Sequence, residues 1–120
     1  MKMRCVGIGK YDFGPGQIEK QGDFGWRIDQ GREIVDGIQR DKVVSIQIAI
    51  YCPRTHVCFQ HVRQGPVGSH GEDSKQRWWA WNGNFEAPTL TPSIGCDDLR
   101  TRCGQHVTIT DGEMSGVILP

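Results

Sequence analysis

Val43-Val-Ser-Ile-Gln-Ile-Ala-Ile-Tyr51 decides the fold class of this chain. Val44, Ile46, Ile48 and Ile50 alternate with Ser45, Gln47, Ala49 and Tyr51, the two-residue period of a strand with one face against a core. The turn Cys52-Pro-Arg-Thr-His56 follows, and Val57 to Arg63 reads as the returning strand of a hairpin. Cys52 and Cys58 then stand at the two feet of one connection.

Downstream, Gly65 to Gln76 is a polar stretch, expected to be a solvated, mobile loop that includes His70. Trp78 to Trp81 starts another strand, with Trp79 and Trp81 on one face and Trp78 on the other. Asn82-Gly83 is a strong short hairpin signal. Pro88 and Pro92 cannot donate to a ladder, which confines Thr89 to Ile94 to an edge strand or an extended crossing segment. Asp97 to Arg102 reads as a polar connection. His106, Thr108 and Thr110 alternate with Val107 and Ile109, and Asp111-Gly112 turns the chain into Met114 to Leu119.

Upstream, Met3 to Ile8 has the character of a short strand stopped by Phe13-Gly-Pro-Gly16. Ile28, Ile34, Val35 and Ile38 have partial helical spacing, which allows one short helix over Arg32 to Arg40. The alternative is a hairpin of Trp26 to Asp29 with Glu33 to Asp36 about Gln30-Gly31. Gly7-x-Gly9 lacks the third glycine of a dinucleotide fingerprint. The expected fold is mainly β: a small antiparallel sheet, sandwich or open barrel, with at most one short helix.

At 120 residues the chain has the length of a single domain, 1–120, with a variable part over 1–42 and a motif-bearing β core over 43–120. Its 16 glycines favour turns and short strands over long helices. Fourteen basic residues balance fourteen acidic ones, so the net charge gives no footprint for nucleic acid or an anionic membrane. No run approaches the roughly 20 apolar residues of a membrane span, and the first residues lack a secretory apolar region, so the cytosol is the expected compartment.

Five cysteines are an odd number, and in a reducing compartment clustered cysteines serve as metal ligands or free thiols more often than as bridges. Cys52-x5-Cys58 and Cys96-x6-Cys103-x2-His106 offer two pairs from two connections, enough for a structural zinc site made of Cys52, Cys58, Cys96 and Cys103, with His56 or His106 as substitutes. The opposing reading makes them small buried residues, as Cys5 is expected to be.

Pro88-Thr-Leu-Thr-Pro-Ser93 fixes the backbone around a serine. A serine nucleophile needs a base within hydrogen-bond reach and a third group to orient it. His106 and Glu86 are the nearby candidates, giving a Ser93, His106, Glu86 constellation. Against it, a serine after proline commonly bonds its own backbone in a turn, and Glu86 can be a solvated charge.

Trp81-Asn-Gly-Asn-Phe-Glu-Ala-Pro-Thr-Leu-Thr-Pro-Ser-Ile94, with Cys103-Gly-Gln-His106 and Thr110-Asp-Gly112, resembles the BubE-like family of small domains. That family occurs in bacterial ubiquitin-like operons and in phage genomes, where members often carry the label ammonia monooxygenase. The resemblance covers the chain from Cys52 onward. It implies a peptidase-like hydrolase acting on a ubiquitin-like or other protein substrate in the cytoplasm, that of the host if the gene is phage-borne. It also implies that Ser93 is the nucleophile, His106 the base and Glu86 an acidic partner. Cys52 matches the start of a family cysteine cluster, from which this chain departs in reading Cys52-Pro-Arg-Thr-His-Val-Cys58. A non-catalytic, zinc-stabilised binding module or phage accessory protein is the alternative.

Overall fold

The computed structural model describes residues 1–9, 12–14, 16–66, 68–73, 76–95 and 103–118. Among the described residues nine strands form one sheet: β1 (Arg4–Ile8), β2 (Asp23–Val35), β3 (Ile38–Cys52), β4 (His56–Gln64), β5 (His70–Asp73), β6 (Gln76–Trp81), β7 (Leu90–Gly95), β8 (His106–Thr110) and β9 (Glu113–Val117). Their spatial order is β1-β2-β3-β4-β6-β7-β8-β9, with β5 paired to β6. The pairings are antiparallel except β1 with β2 and β4 with β6. The sheet curls into a half-barrel, and an antiparallel bridge between Lys2 and Glu113 links its first and last strands. Among the described residues no helix is long and apolar enough to cross a membrane.

The concave face carries the main core: Phe24 and Trp26 from β2, Ile48 and Ile50 from β3, Trp79 and Trp81 from β6, Leu90 and Ile94 from β7, Val107 and Ile109 from β8. These are the alternate positions of each strand, as a two-residue period requires. The alternation of β3 fails at Val44, which is 66% exposed, because the ladder to β4 begins only at Ile46. On the convex face Phe13 and Ile18 pack over Ala49 and are buried. Gly25 makes this possible, since a Cβ there would lie 2.3 Å from the Phe13 ring.

Five expectations need correction. Arg32 to Arg40 is not a helix: it spans the end of β2, a turn at Asp36-Gly37 and the start of β3. Asp36 and Gly37 both have positive φ, 52° and 76°, as a two-residue hairpin turn demands. Gln30-Gly31 is therefore inside a strand, next to a bulge at Asp29/Gln30. Asn82-Gly83 does join an antiparallel pair, β6 and β7, but it opens an eight-residue loop, 82–89, in place of a tight turn; the loop's main chain is braced by side chains, with Asn84 Oδ1 accepting from the N–H groups of Glu86 and Ala87, each at 2.9 Å. Gly65 to Gln76 contains β5 and a turn held by Ser69 N–H and Oγ donating to Pro66 O. Finally, β7 is an interior strand between β6 and β8, and Pro92 falls where its register shifts.

Asp23 ties the convex-face segment to the sheet. Its carboxylate, 1% exposed, accepts from the N–H groups of Glu19 (3.0 Å) and Lys20 (3.3 Å) and from Arg4 Nε (3.2 Å). Burial pushes this carboxyl upward, and the hydrogen bonds from Glu19, Arg4 and Lys20 more than offset it, so its pKa lies below the ordinary aspartate value. A depressed acid stabilises the fold above the unfolded-state pKa of about 3.9 and loses that contribution as the pH falls through the folded-state value. Asp23→Ala is expected to cost on the order of 2 kcal/mol at neutral pH, by removing the buried acceptor of the Glu19 and Lys20 N–H groups; Arg4, 63% exposed, turns to water instead. The deficit should shrink as the pH falls below about 3.9. Urea unfolding at pH 7 and at successive acid pH values measures both; a pH-independent difference would refute the assignment.

Candidate active site

Ser93 lies on β7 between Leu90 and Ile94, both of which enter the concave core, so its own side chain emerges on the convex side, half-buried. The Thr91–Pro92 peptide bond just before it is cis. His106 begins β8 opposite Gly95 and alternates with buried Val107 and Ile109, which leaves its ring exposed on the same side as Ser93. Ser93 Oγ and His106 Nε2 are 2.6 Å apart. Among the described residues Ser93 is the only side chain bonded to that ring. The pair is 13 residues apart in sequence and meets because β7 and β8 are neighbours in the sheet.

Three contacts around the pair were not signalled by the sequence. The Trp79 indole N–H donates to Ser93 O at 3.2 Å. Thr91 Oγ1 accepts from Gly68 N–H at 2.8 Å, pinning the 66–69 turn to β7 two residues before the serine. Gly116 on β9 has φ 109°, and a Cβ there would lie 2.5 Å from His106 O, so glycine lets β9 approach the strand that carries the histidine. Alternation places Trp79 and Trp81 on one face but says nothing of where either N–H points.

Glu86 is elsewhere. It lies in the 82–89 loop with its main chain against Gly112; burial pushes the half-buried Cys5 thiol up and the charge of Glu86 adds to that, while a backbone hydrogen bond at Gly7 opposes. β8 alone carries the chain about 13 Å away from His106 before Gly112 is reached. Among the described residues no hydrogen bond joins Glu86 to His106.

The cysteines are brought partly together. Cys52 is buried and Cys58 half-buried, facing His56 and Ile50 respectively across the β3–β4 hairpin. With Gln60 and Gln105 they line a cavity of about 10 Å³, no more than a single water needs. Cys103, two residues before Gln105, is also buried. Cys96 lies outside the described residues, and with it the four-cysteine zinc set. Among the described residues no group of three or more His, Cys, Asp or Glu could hold a metal ion. His56 sits edge-on to Tyr51, with its Nε2 buried and, among the described residues, without a hydrogen-bond partner.

A second polar patch occupies the convex face of β2, β3 and β4. Arg27 stacks over Phe59 and donates to Gln47 at 2.7 Å, while Ser45 and Gln47 donate to Asp29. Burial lowers the pKa of His61 there, Arg27 and Arg63 add to the effect, and Asp29 opposes it. The adjoining pocket, about 90 Å³ between Ser45, His61 and Trp78, is too small for a typical ligand.

A family model described as "Bacterial ubiquitination-like system serine protease (BubE)" matches residues 28–117, three quarters of the chain. The match begins in β2, well upstream of Cys52, where the resemblance in sequence motifs starts. No curated protein and no solved structure matches the chain.

Proposed function

This chain belongs to the BubE family, described as the serine protease of a bacterial ubiquitination-like system, and from that premise we propose that it cleaves a protein substrate with Ser93 as nucleophile and His106 as general base. The observation that carries the reading is the 2.6 Å contact between Ser93 Oγ and His106 Nε2. For Nε2 to accept the hydroxyl proton, the neutral ring must carry its own proton on Nδ1. Ser93 Oγ then attacks the scissile carbonyl carbon as Nε2 takes the Oγ proton. The tetrahedral intermediate collapses, the amine leaves with the proton from His106, and an acyl-enzyme remains on Ser93. Water, deprotonated by the same Nε2, attacks the ester and releases the acid.

Glu86 has no part in this scheme. The reading is a Ser93–His106 dyad, whose imidazole is oriented by the β8 backbone and by its bond to Ser93. The convex, exposed position of the pair supports a polypeptide as substrate, and the family description favours a ubiquitin-like protein or a conjugate of one.

A fluorophosphonate probe tests the proposal directly. Wild-type protein should incorporate one label per chain, and mass spectrometry of the digested product should find it on Ser93. No label, or a label on another residue, would sink the proposal.

A further inference from the structure

We propose that Trp79 is the positioning residue for Ser93, its indole N–H standing in for a main-chain donor that β6 no longer offers where β7 leaves it. This rests on the reading of Ser93 as nucleophile. The β6–β7 ladder has only two pairs, Ala80 with Thr91 and Trp81 with Leu90. Beyond Ala80 the edge of β6 turns to another strand, pairing Trp79 with His70 and Trp78 with Gly71. Ser93 therefore lies past the end of its own ladder with β6, and its carbonyl would go without a partner on that side. Trp79 Nε1 reaches it at 3.2 Å.

The donor is rigid for a physical reason. The Trp79 side chain is packed in the concave core and 8% exposed, so the N–H is fixed by the surrounding apolar side chains and cannot follow a drifting strand. Ser93 is thereby held at two atoms: its O by Trp79 on the core side, its Oγ by His106 on the convex side. Two other indoles use the same chemistry without touching the serine: Trp81 Nε1 donates to Asn84 O at 3.1 Å and Trp26 Nε1 to Phe85 O at 2.8 Å. They are built-in controls.

The experiment compares Trp79→Phe with Trp81→Phe. Each keeps an aromatic ring and deletes one indole-to-carbonyl bond, so a purely structural contribution affects both proteins alike. The second-order rate of phosphonylation by the fluorophosphonate, in which Ser93 Oγ displaces fluoride at phosphorus, is expected to fall about 10- to 100-fold in Trp79→Phe, the effect of a displacement of about 1 Å at a reacting atom. In Trp81→Phe, whose lost bond ends at Asn84 O and not at the serine, it should stay within about twofold of wild type, because no reacting atom is displaced. The His106 ring ¹⁵N shifts should report loss of the Ser93 hydrogen bond in the first variant only. Should Trp79→Phe fail to fold, the wild type suffices: phosphonylating Ser93 should move the Trp79 indole N–H resonance and leave those of Trp26 and Trp81 in place. Equal phosphonylation rates in the two variants, or an unmoved Trp79 resonance, overturn the positioning role alone. A wild type that takes no label overturns the nucleophile beneath it as well.

Discussion

Alanine in place of Ser93 is expected to abolish fluorophosphonate labelling, and alanine in place of His106 to slow it by about 10⁴-fold or more, the scale on which serine nucleophiles lose rate without their base. Both side chains sit on the convex side and, among the described residues, the histidine ring bonds only to Ser93. Removing either leaves the concave core intact, so both variants should unfold within about 0.5 kcal/mol of wild type. Glu86→Gln should label like wild type, because its side chain belongs to the far end of β8. Two results would reverse the assignment: a His106→Ala protein that labels at the wild-type rate, or a Glu86→Gln protein that loses labelling as His106→Ala does. The first would make the 2.6 Å contact an ordinary surface hydrogen bond; the second would put the orienting carboxylate back into the reaction.

Trp26→Ala should have the largest effect on stability. Its ring is completely buried, tilted against Trp81 with centroids 4.9 Å apart and edge-on to Phe85 at 5.2 Å. Its N–H holds Phe85 O at 2.8 Å, which attaches the 82–89 loop to β2. Large-to-small replacement of a buried tryptophan costs about 3–5 kcal/mol, and the abandoned carbonyl adds about 1 kcal/mol. Against a total of about 5–15 kcal/mol for an ordinary domain, that brings the protein close to unfolding. The melting temperature should drop by about 10–20 °C. A fall of less than about 3 °C by calorimetry would mean that the Trp26–Trp81–Phe85 stack is not the keystone of this end of the half-barrel.

Where side-chain alternation coincided with burial, the fold was legible in the residues. Ile46, Ile48 and Ile50 announced β3, and Asp111-Gly112 announced the last hairpin; both residues of that turn have positive φ, 49° and 74°. Asp36-Gly37 carried the same signal, but the helical spacing of Ile34, Val35 and Ile38 competed with it. That spacing marks no core face, because Ile34 and Ile38 stand 71% and 68% exposed on a two-stranded ribbon that projects past β4. Periodicity reports structure only where apolar residues meet a core. Asn82-Gly83 marks a real hairpin, β6 with β7, but not its turn length: the amides of Asn82 and Asn84 bond the loop's own main chain, which stabilises a wide loop in place of a tight turn. At the site, the nearness of Ser93 to His106 followed from motif resemblance and neighbouring strands. Glu86 stands close in sequence to Ser93, yet the 82–89 loop carries it to the far end of β8 from His106. Alternation sets Trp79 and Trp81 on the face opposite Trp78, but hydropathy patterns hold no record of where an indole N–H points.

The seam between Lys2 and Glu113 has a kinetic side. Met3 N–H donates to Gly112 O, and Met1 and Met114 exchange main-chain bonds across the same line. Residues more than a hundred positions apart must therefore meet before the half-barrel is joined. By the logarithmic law of loop closure that encounter alone costs roughly 4 kcal/mol of chain entropy. Folding should thus be slow for a chain of this size, on the millisecond-to-second scale of proteins dominated by distant strand pairing. During synthesis the β1 and β9 edges cannot be linked to each other until Glu113 has left the ribosome. Until then the nascent chain presents unpaired strand edges to its surroundings, the form in which β-proteins are most exposed to aggregation.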